Sequence, residues 1–196
     1  MEKVTIFLDF ANLEASAPSS IDYGSLLRYL GEGRTILEAF AYVPINPRTP
    51  HAREGVIHHL KQSGWLVNAK MGKIAGQTYK ANVDVEMTID IIRCSQYRRP
   101  DILVLCSGDG DFMPLIRLMR YWGVRLETAA FLRAASQEVK TESSGFIDLD
   151  RWYRESHTGF QQKFQQNFSR PGFASSAPRR SPRFSEEEYA FLSRSH

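Results

Sequence analysis

The sequence predicts an α/β fold in which a mostly parallel central sheet is covered by helices on both faces and a C-terminal tail follows. Three observations predict it. Up to about residue 150, short apolar runs alternate with longer helical patterns, as βαβ crossovers require. Three of those runs are nearly continuous in apolar or β-favouring residues, which suits strands buried on both faces. After Trp152 the pattern breaks and the composition turns to Ser, Pro and Arg.

The strand candidates, in order, are VTIFLDF (4–10), TILEAFAYV (35–43), WLVNAK (65–70), DILVLC (101–106) and VRLETAAF (124–131). Between them lie the helical segments YGSLLRYLGE, PHAREGVIHHLKQSG, VDVEMTIDIIRCSQY and FMPLIRLMRYWG. In the last, Leu115, Leu118, Met119 and Trp122 recur at i, i+3, i+4 and i+7, one face of a helix, and Gly123 supplies a stop. Ligands of such sheets bind beyond the carboxyl ends of the strands. The chain has no internal repeats.

The length of 196 residues suits one domain, 1–155, plus a tail, 156–196. A hydrophobic content of 42% is enough for a real core. No apolar run approaches the ~18–20 residues of a membrane span, and the N-terminus lacks a signal-peptide layout, so a cytoplasmic protein is expected. Cys94 and Cys106 lie inside apolar segments without a CxxC pair and read as small core residues.

Charge is distributed unevenly. Residues 1–156 hold 19 basic and 19 acidic side chains, whereas 157–196 hold six basic against three acidic. Arg170, Arg179, Arg180 and Arg183 stand among Ser and Pro, with Phe173 and Phe184 interleaved. Arginines beside aromatics suit single-stranded RNA, through phosphate contacts and base stacking. Phe160, Phe164 and Phe168 are spaced four apart, so 158–168 reads as a helix that docks on the core or on a partner subunit. A homodimer is therefore open.

The stretch LCSGDGDF (105–112) joins a buried run to a turn with two aspartates. Ser107 and Gly108 end the strand, Asp109 occupies the turn and Asp111 falls near the next helix. A helix cap explains one aspartate, not two. Asp9 interrupts the first strand, with Asn12 one turn later, and such a carboxylate costs desolvation unless it is paired or metal-bound. A plain Asp–Asn turn is the simpler alternative. Asp84 opens the third helix, where the helix dipole favours an acid. Asp90 lies about 240° further around and should face elsewhere. With Glu86 it reads as a solvated acidic edge. In the predicted sheet Asp9, Asp84, Asp109 and Asp111 converge on one edge, and a hard cation, Mg²⁺ or Mn²⁺, would relieve their repulsion. Such ions activate water and stabilise an in-line phosphoryl transition state.

A strand ending in D-x-x-N, a V-D-V helix start and S-G-D-x-D-F before an amphipathic helix together resemble the NYN domain of the PIN-like ribonuclease superfamily. The nearest branch is the LabA-like one, and the resemblance spans about residues 3–150. It implies a Rossmann-like, three-layer α/β/α fold and Mg²⁺- or Mn²⁺-dependent cleavage of RNA. It also implies that Asp9, Asp84, Asp109 and Asp111 hold the metal, with Asn12 and Ser107 as supporting polar groups. Asp90 matches an acidic position often seen after the V-D-V segment. LabA-like members often carry a further C-terminal domain, where this chain has a tail.

The loop KMGKIAGQTYKAN offers Lys70, Lys73 and Lys80 to a phosphate backbone and Tyr79 to a base, although an ordinary solvated loop has the same composition. Arg98 and Arg99 complement a helix C-terminus. His51, His58 and His59 show no metal-ligand pattern. There is no Ser-His-Asp order, Walker loop or GxGxxG, so no nucleotide cofactor is expected. A haloacid-dehalogenase-like phosphatase needs D-x-D after the first strand, where this chain has D-F-A-N. The expectation is a metal-dependent endoribonuclease, and its rival is an RNA-binding adaptor that keeps the fold without the chemistry.

Overall fold

Strand β1 (Lys3–Asp9) is buried from Val4 to Asp9, so its side chains feed both faces of a central sheet in strict alternation. The computed structural model describes residues 1–156 apart from Gln77. By its internal contacts the chain divides into Met1–Thr158 and Gly159–His196, and the description concerns the first unit.

The elements after β1 are α1 (Phe10–Ser16), α2 (Tyr23–Leu30), β2 (Thr35–Ile45), α3 (Glu54–Gln62) and β3 (Leu66–Met71). A short hairpin of β4 (Lys73–Ala75) and β5 (Thr78–Lys80) leads to α4 (Val83–Tyr97). Next come β6 (Ile102–Cys106), α5 (Met113–Tyr121), β7 (Leu126–Ala130), α6 (Gln137–Glu142) and β8 (Gly145–Asp148), and residues 149–156 are helical. The main sheet has the order β3-β2-β1-β6-β7-β8, and all its pairings are parallel. The chain thus winds outward from β1 in one direction and from β6 in the other. This is the order of a doubly wound sheet, whose ligand crevice opens where the direction reverses.

The alternation along β1 decides what each layer contains. Val4, Ile6 and Leu8 pack with Leu13, Leu26, Leu60 and Trp65 on one side. Phe7 packs with Leu103, Leu105, Met87, Ile91, Ile116 and Met119 on the other. Asp9 has the parity of Phe7, so its carboxylate belongs to the face covered by α4 and α5. Cys94 and Cys106 are free and buried, as core residues would be, and burial pushes both thiols up. Among the described residues no helix is long and apolar enough to cross a membrane.

The expected three-layer α/β architecture is present, with differences in its smaller parts. The sheet has six strands rather than five, because the half-exposed GFID segment adds β8 at one edge. Four residues are too few to display a period. The segment expected as a loop contains the β4–β5 hairpin, in which Lys73 pairs with Lys80. Helices α1 and α6 were likewise too short to announce themselves. Trp122 does not join the apolar stripe of α5. The helix ends at Tyr121, Trp122 is 41% exposed, and Met113 and Ile116 fill the core instead.

Two isoleucines on α4 separate burial from propensity. Ile91 is fully buried and Ile89 is 42% exposed. Ile91→Ala should destabilise by about 2–5 kcal/mol, whereas Ile89→Ala should change stability by no more than about 0.5 kcal/mol. Urea denaturation of both variants checks the assignment of the α4 face, and equal effects would contradict it.

Candidate functional site

Asp9 ends β1 and is the N-cap of α1, so one side chain closes a strand and opens a helix. It is only 4% exposed. Its Oδ1 accepts a hydrogen bond from the Asn12 amide at 3.1 Å, and its Oδ2 accepts one from Ser107 Oγ at 3.0 Å. Ser107 follows β6, the parallel neighbour of β1, which brings it level with Asp9 across the switch point. Its hydroxyl in turn accepts from the Asp109 amide at 3.2 Å. Asn12 completes the link, its Oδ1 accepting from the Gly108 amide at 3.0 Å. The ends of β1 and β6 are therefore clasped by side chains from both.

Gly108 has a steric role that the sequence did not disclose. A Cβ there would stand 2.7 Å from Ala135 Cα and 2.8 Å from the Ala134 carbonyl oxygen. Any other residue would push the turn away from that neighbouring backbone. In the same turn Asp109 caps the short 3-10 segment Gly110–Phe112, its Oδ1 accepting from the Asp111 amide at 2.9 Å. Asp109, not Asp111, is the cap, and Asp111 is exposed in the first turn. The second aspartate thus has no part in capping.

Asp84 lies in the first turn of α4, which Asn82 enters in the left-handed conformation with φ 45°. Its carboxyl is raised above the ordinary range, first by partial desolvation and then by the charges of Asp109 and Asp111. Burial pushes Asp9 up to about 6, with Asp84 and Asp109 adding to the rise and the Asn12 and Ser107 hydrogen bonds opposing it. The four aspartates therefore share one electrostatic field at the carboxyl edge of the sheet. Among the described residues, no three His, Cys, Asp or Glu side chains gather closely enough to enclose an ion. The donor set consists of carboxylate, amide and hydroxyl oxygens, and its mutual repulsion is of the kind a hard divalent cation removes.

Asp90 lies apart from this group. Its Oδ2 accepts from the Tyr42 hydroxyl at 2.8 Å, and its Oδ1 is 3.6 Å from Arg93 Nη1. Glu86 pairs with Lys70. The acidic edge expected on α4 is therefore engaged with β2 and β3. Tyr42 was not singled out from the sequence; it stands beside Asp9 only through the β1–β2 register. Among the loop residues, Lys73 and Lys80 are exposed cross-strand partners, an arrangement of like charges that is repulsive unless an anion is near. Tyr79 is half-buried, and a Cβ at Gly72 would meet its ring at 2.4 Å. Arg170, Arg179, Arg180, Arg183 and the 158–168 stripe lie outside the described residues.

Comparison with known proteins agrees with this fold. The family model of the NYN domain matches residues 3–150. The low amplitude and bright protein LabA of Synechococcus elongatus is 28% identical over 159 residues, covering 76% of this chain and 84% of that protein. A crystal structure of a protein of unknown function, VPA0982 from Vibrio parahaemolyticus, superposes with a TM-score of 0.66 at 25% identity. It covers 77% of this chain and 94% of its own.

The raised Asp9 value has a definite consequence for stability. The folded protein holds the Asp9 proton more tightly than the unfolded chain, whose value is 3.8. This contribution is fully present below pH 3.8 and is lost as pH rises through about 6. In metal-free buffer the loss should be on the order of 2–3 kcal/mol. Denaturation of wild type and Asp9→Asn between pH 4 and 7 should therefore give a stability difference that moves in favour of the variant as pH rises. Parallel curves would refute the assignment.

Proposed function

The chain belongs to the NYN domain family, and from that membership we propose that it is a metal-dependent ribonuclease that hydrolyses phosphodiester bonds of single-stranded RNA. One observation carries the reading. Asp9 is a nearly buried carboxylate whose two bonded partners, the Asn12 amide and the Ser107 hydroxyl, are both neutral. A buried structural aspartate is ordinarily paired with a cation. Here the adjacent charges, Asp84 and Asp109, have the same sign.

Although no three of them gather closely enough to enclose an ion, Asp9, Asp84, Asp109 and Asp111 would supply the carboxylates for Mg²⁺ or Mn²⁺, which when bound would polarise the phosphoryl group and ease the ionisation of water. The chain's own residues prepare that site. Ser107 and Asn12 fix the Asp9 carboxylate and tie the β6 turn to it, so the acidic groups stay in register. The 3-10 segment keeps Asp111 at the rim, and Phe112 beneath it is buried in the core. Lys73 and Lys80 would meet the RNA backbone, whose phosphates relieve their repulsion. RNA as the substrate follows from the family rather than from any contact in this chain.

We assign residues 1–155 to the nuclease and 156–196 to an extension that raises the local concentration of RNA. Support for the extension comes from charge alone, six basic side chains against three acidic beyond residue 156. Truncation after Glu155 should leave cleavage at saturating RNA intact. It should flatten the salt dependence of RNA binding by about 0.7 in log–log slope per lost phosphate contact. An unchanged slope with a lower melting temperature would assign the extension to docking.

Two measurements test the chemistry. Mg²⁺ or Mn²⁺ should raise the melting temperature by relieving repulsion present only in the folded state, and EDTA should reverse the rise and stop cleavage. Asp109→Asn keeps an oxygen acceptor for the turn but removes the charge, so the fold should survive while turnover falls by at least about 100-fold. RNA binding without EDTA-sensitive cleavage would favour the adaptor reading.

A further inference from the structure

Beside the acidic site, between α4 and strands β2 and β3, lies an open groove of about 450 Å³ lined by Tyr42, Asn68, Lys70, Glu86, Asp90 and Arg93. Its size falls in the range of small-ligand sites. Its position is set by register. Asp9 pairs with Tyr42 and Tyr42 with Asn68, so the three residues form a row across the sheet, about 4.8 Å per step. Residues in register share a face, so the groove begins one strand away from the Asp9 carboxylate.

The polar groups of the groove are held in fixed roles. Tyr42 is 1% exposed, and its hydroxyl donates to Asp90 Oδ2 at 2.8 Å, with Asn68 beside it in the lining. Burial and the nearby Asp90 push the phenol up, so it remains a donor. Arg93 Nη1 forms an ion pair with Asp90 Oδ1 at 3.6 Å, too long for a hydrogen bond, so that oxygen keeps its acceptor positions. One edge of the Asp90 carboxylate is therefore oriented by a buried phenol while the other faces the groove. Lys70 is balanced by Glu86, which leaves the floor without a surplus cation there.

A carboxylate held in this way is selective among bases. Guanine presents two adjacent donors, N1–H and the N2 amino group, which match both oxygens. Adenine and cytosine place a ring acceptor beside the amino group, and uracil offers one N–H between two carbonyls. Single-stranded RNA is read on these Watson–Crick edges. We propose that the groove is a base-reading subsite that selects guanine in the nucleotide next to the scissile phosphate, with Asp90 as the reading group and Tyr42 as its positioning residue. This rests on the ribonuclease reading for its substrate but not for its binding chemistry.

The test separates the two. The full chain, in EDTA, is titrated calorimetrically with 5′-GMP, AMP, CMP and UMP, and cleavage positions on an unstructured RNA are mapped in Mg²⁺. GMP should bind at least about tenfold tighter than AMP, as a bidentate pair provides, and cuts should cluster beside guanines. The preference should vanish in Asp90→Asn and weaken in Tyr42→Phe, which keeps the ring but cannot orient the carboxylate. Thermal melts of both variants identify any loss of fold. Equal binding of the four nucleotides, binding of none, or a GMP preference that survives in folded Asp90→Asn would overturn the proposal. Unbiased cleavage would overturn it while leaving the ribonuclease reading standing. Selective GMP binding by a chain that cuts no RNA would do the reverse.

Discussion

The constraint on which the site depends is the burial of one carboxylate at the reversal point of the sheet. Asp9 ends β1 between two parallel neighbours, where a side chain has little access to water. Its hydrogen bonds to the Asn12 amide and the Ser107 hydroxyl lower the cost of its charge, yet burial still holds it near 6. A fold that needed only a turn at this point could use a neutral residue. The arrangement keeps a carboxylate where a charge is expensive, and on that feature the proposed function rests.

Most of the surrounding geometry follows from that position. Because β1 and β6 are adjacent and parallel, their carboxyl ends emerge together, and the turn after β6 can reach the cap of α1. The close approach of Gly108 to the 134–135 backbone seats that turn and fixes where Asp109 and Asp111 stand. Helix α4 packs Met87 and Ile91 under the sheet, and this presents Asp84 at its first turn to the same field. Stability and acidity are thus supplied by different parts of the same elements. The apolar face anchors each element, and its carboxyl-edge terminus carries the charge.

The side of α4 that faces β2 and β3 has a different character. There the acidic residues are neutralised or oriented by partners: Glu86 by Lys70, Asp90 by Tyr42. Asp84 and Asp90 are on one helix but serve separate surroundings, since six residues carry a side chain most of the way round. The crowded edge is suited to a cation and the bonded groove to a polar ligand, and they adjoin through the register of Asp9 with Tyr42.

What the sequence determined by itself was set by local pattern. Nearly continuous apolar runs marked β1 and β6 because strands covered on both faces have no polar side to show. The paired aspartates of SGDGDF were conspicuous because one cap accounts for one acid, and the motifs stand in the order of the NYN domain. The short pieces α1, α6, β8 and the β4–β5 hairpin stayed hidden because three to seven residues do not span enough of a period to be recognised. Trp122 misled because spacing cannot say where a helix stops. Register, and everything that hangs on it, was decided only by tertiary structure. That Tyr42 neighbours Asp9, that Ser107 reaches its Oδ2, and that Gly108 admits no side chain are facts about segments brought together from 26 or more residues apart. The physical reason is that hydrogen bonding between strands and the packing of α4 and α5 beneath them select one alignment of the whole sheet, and no local window of sequence contains both partners.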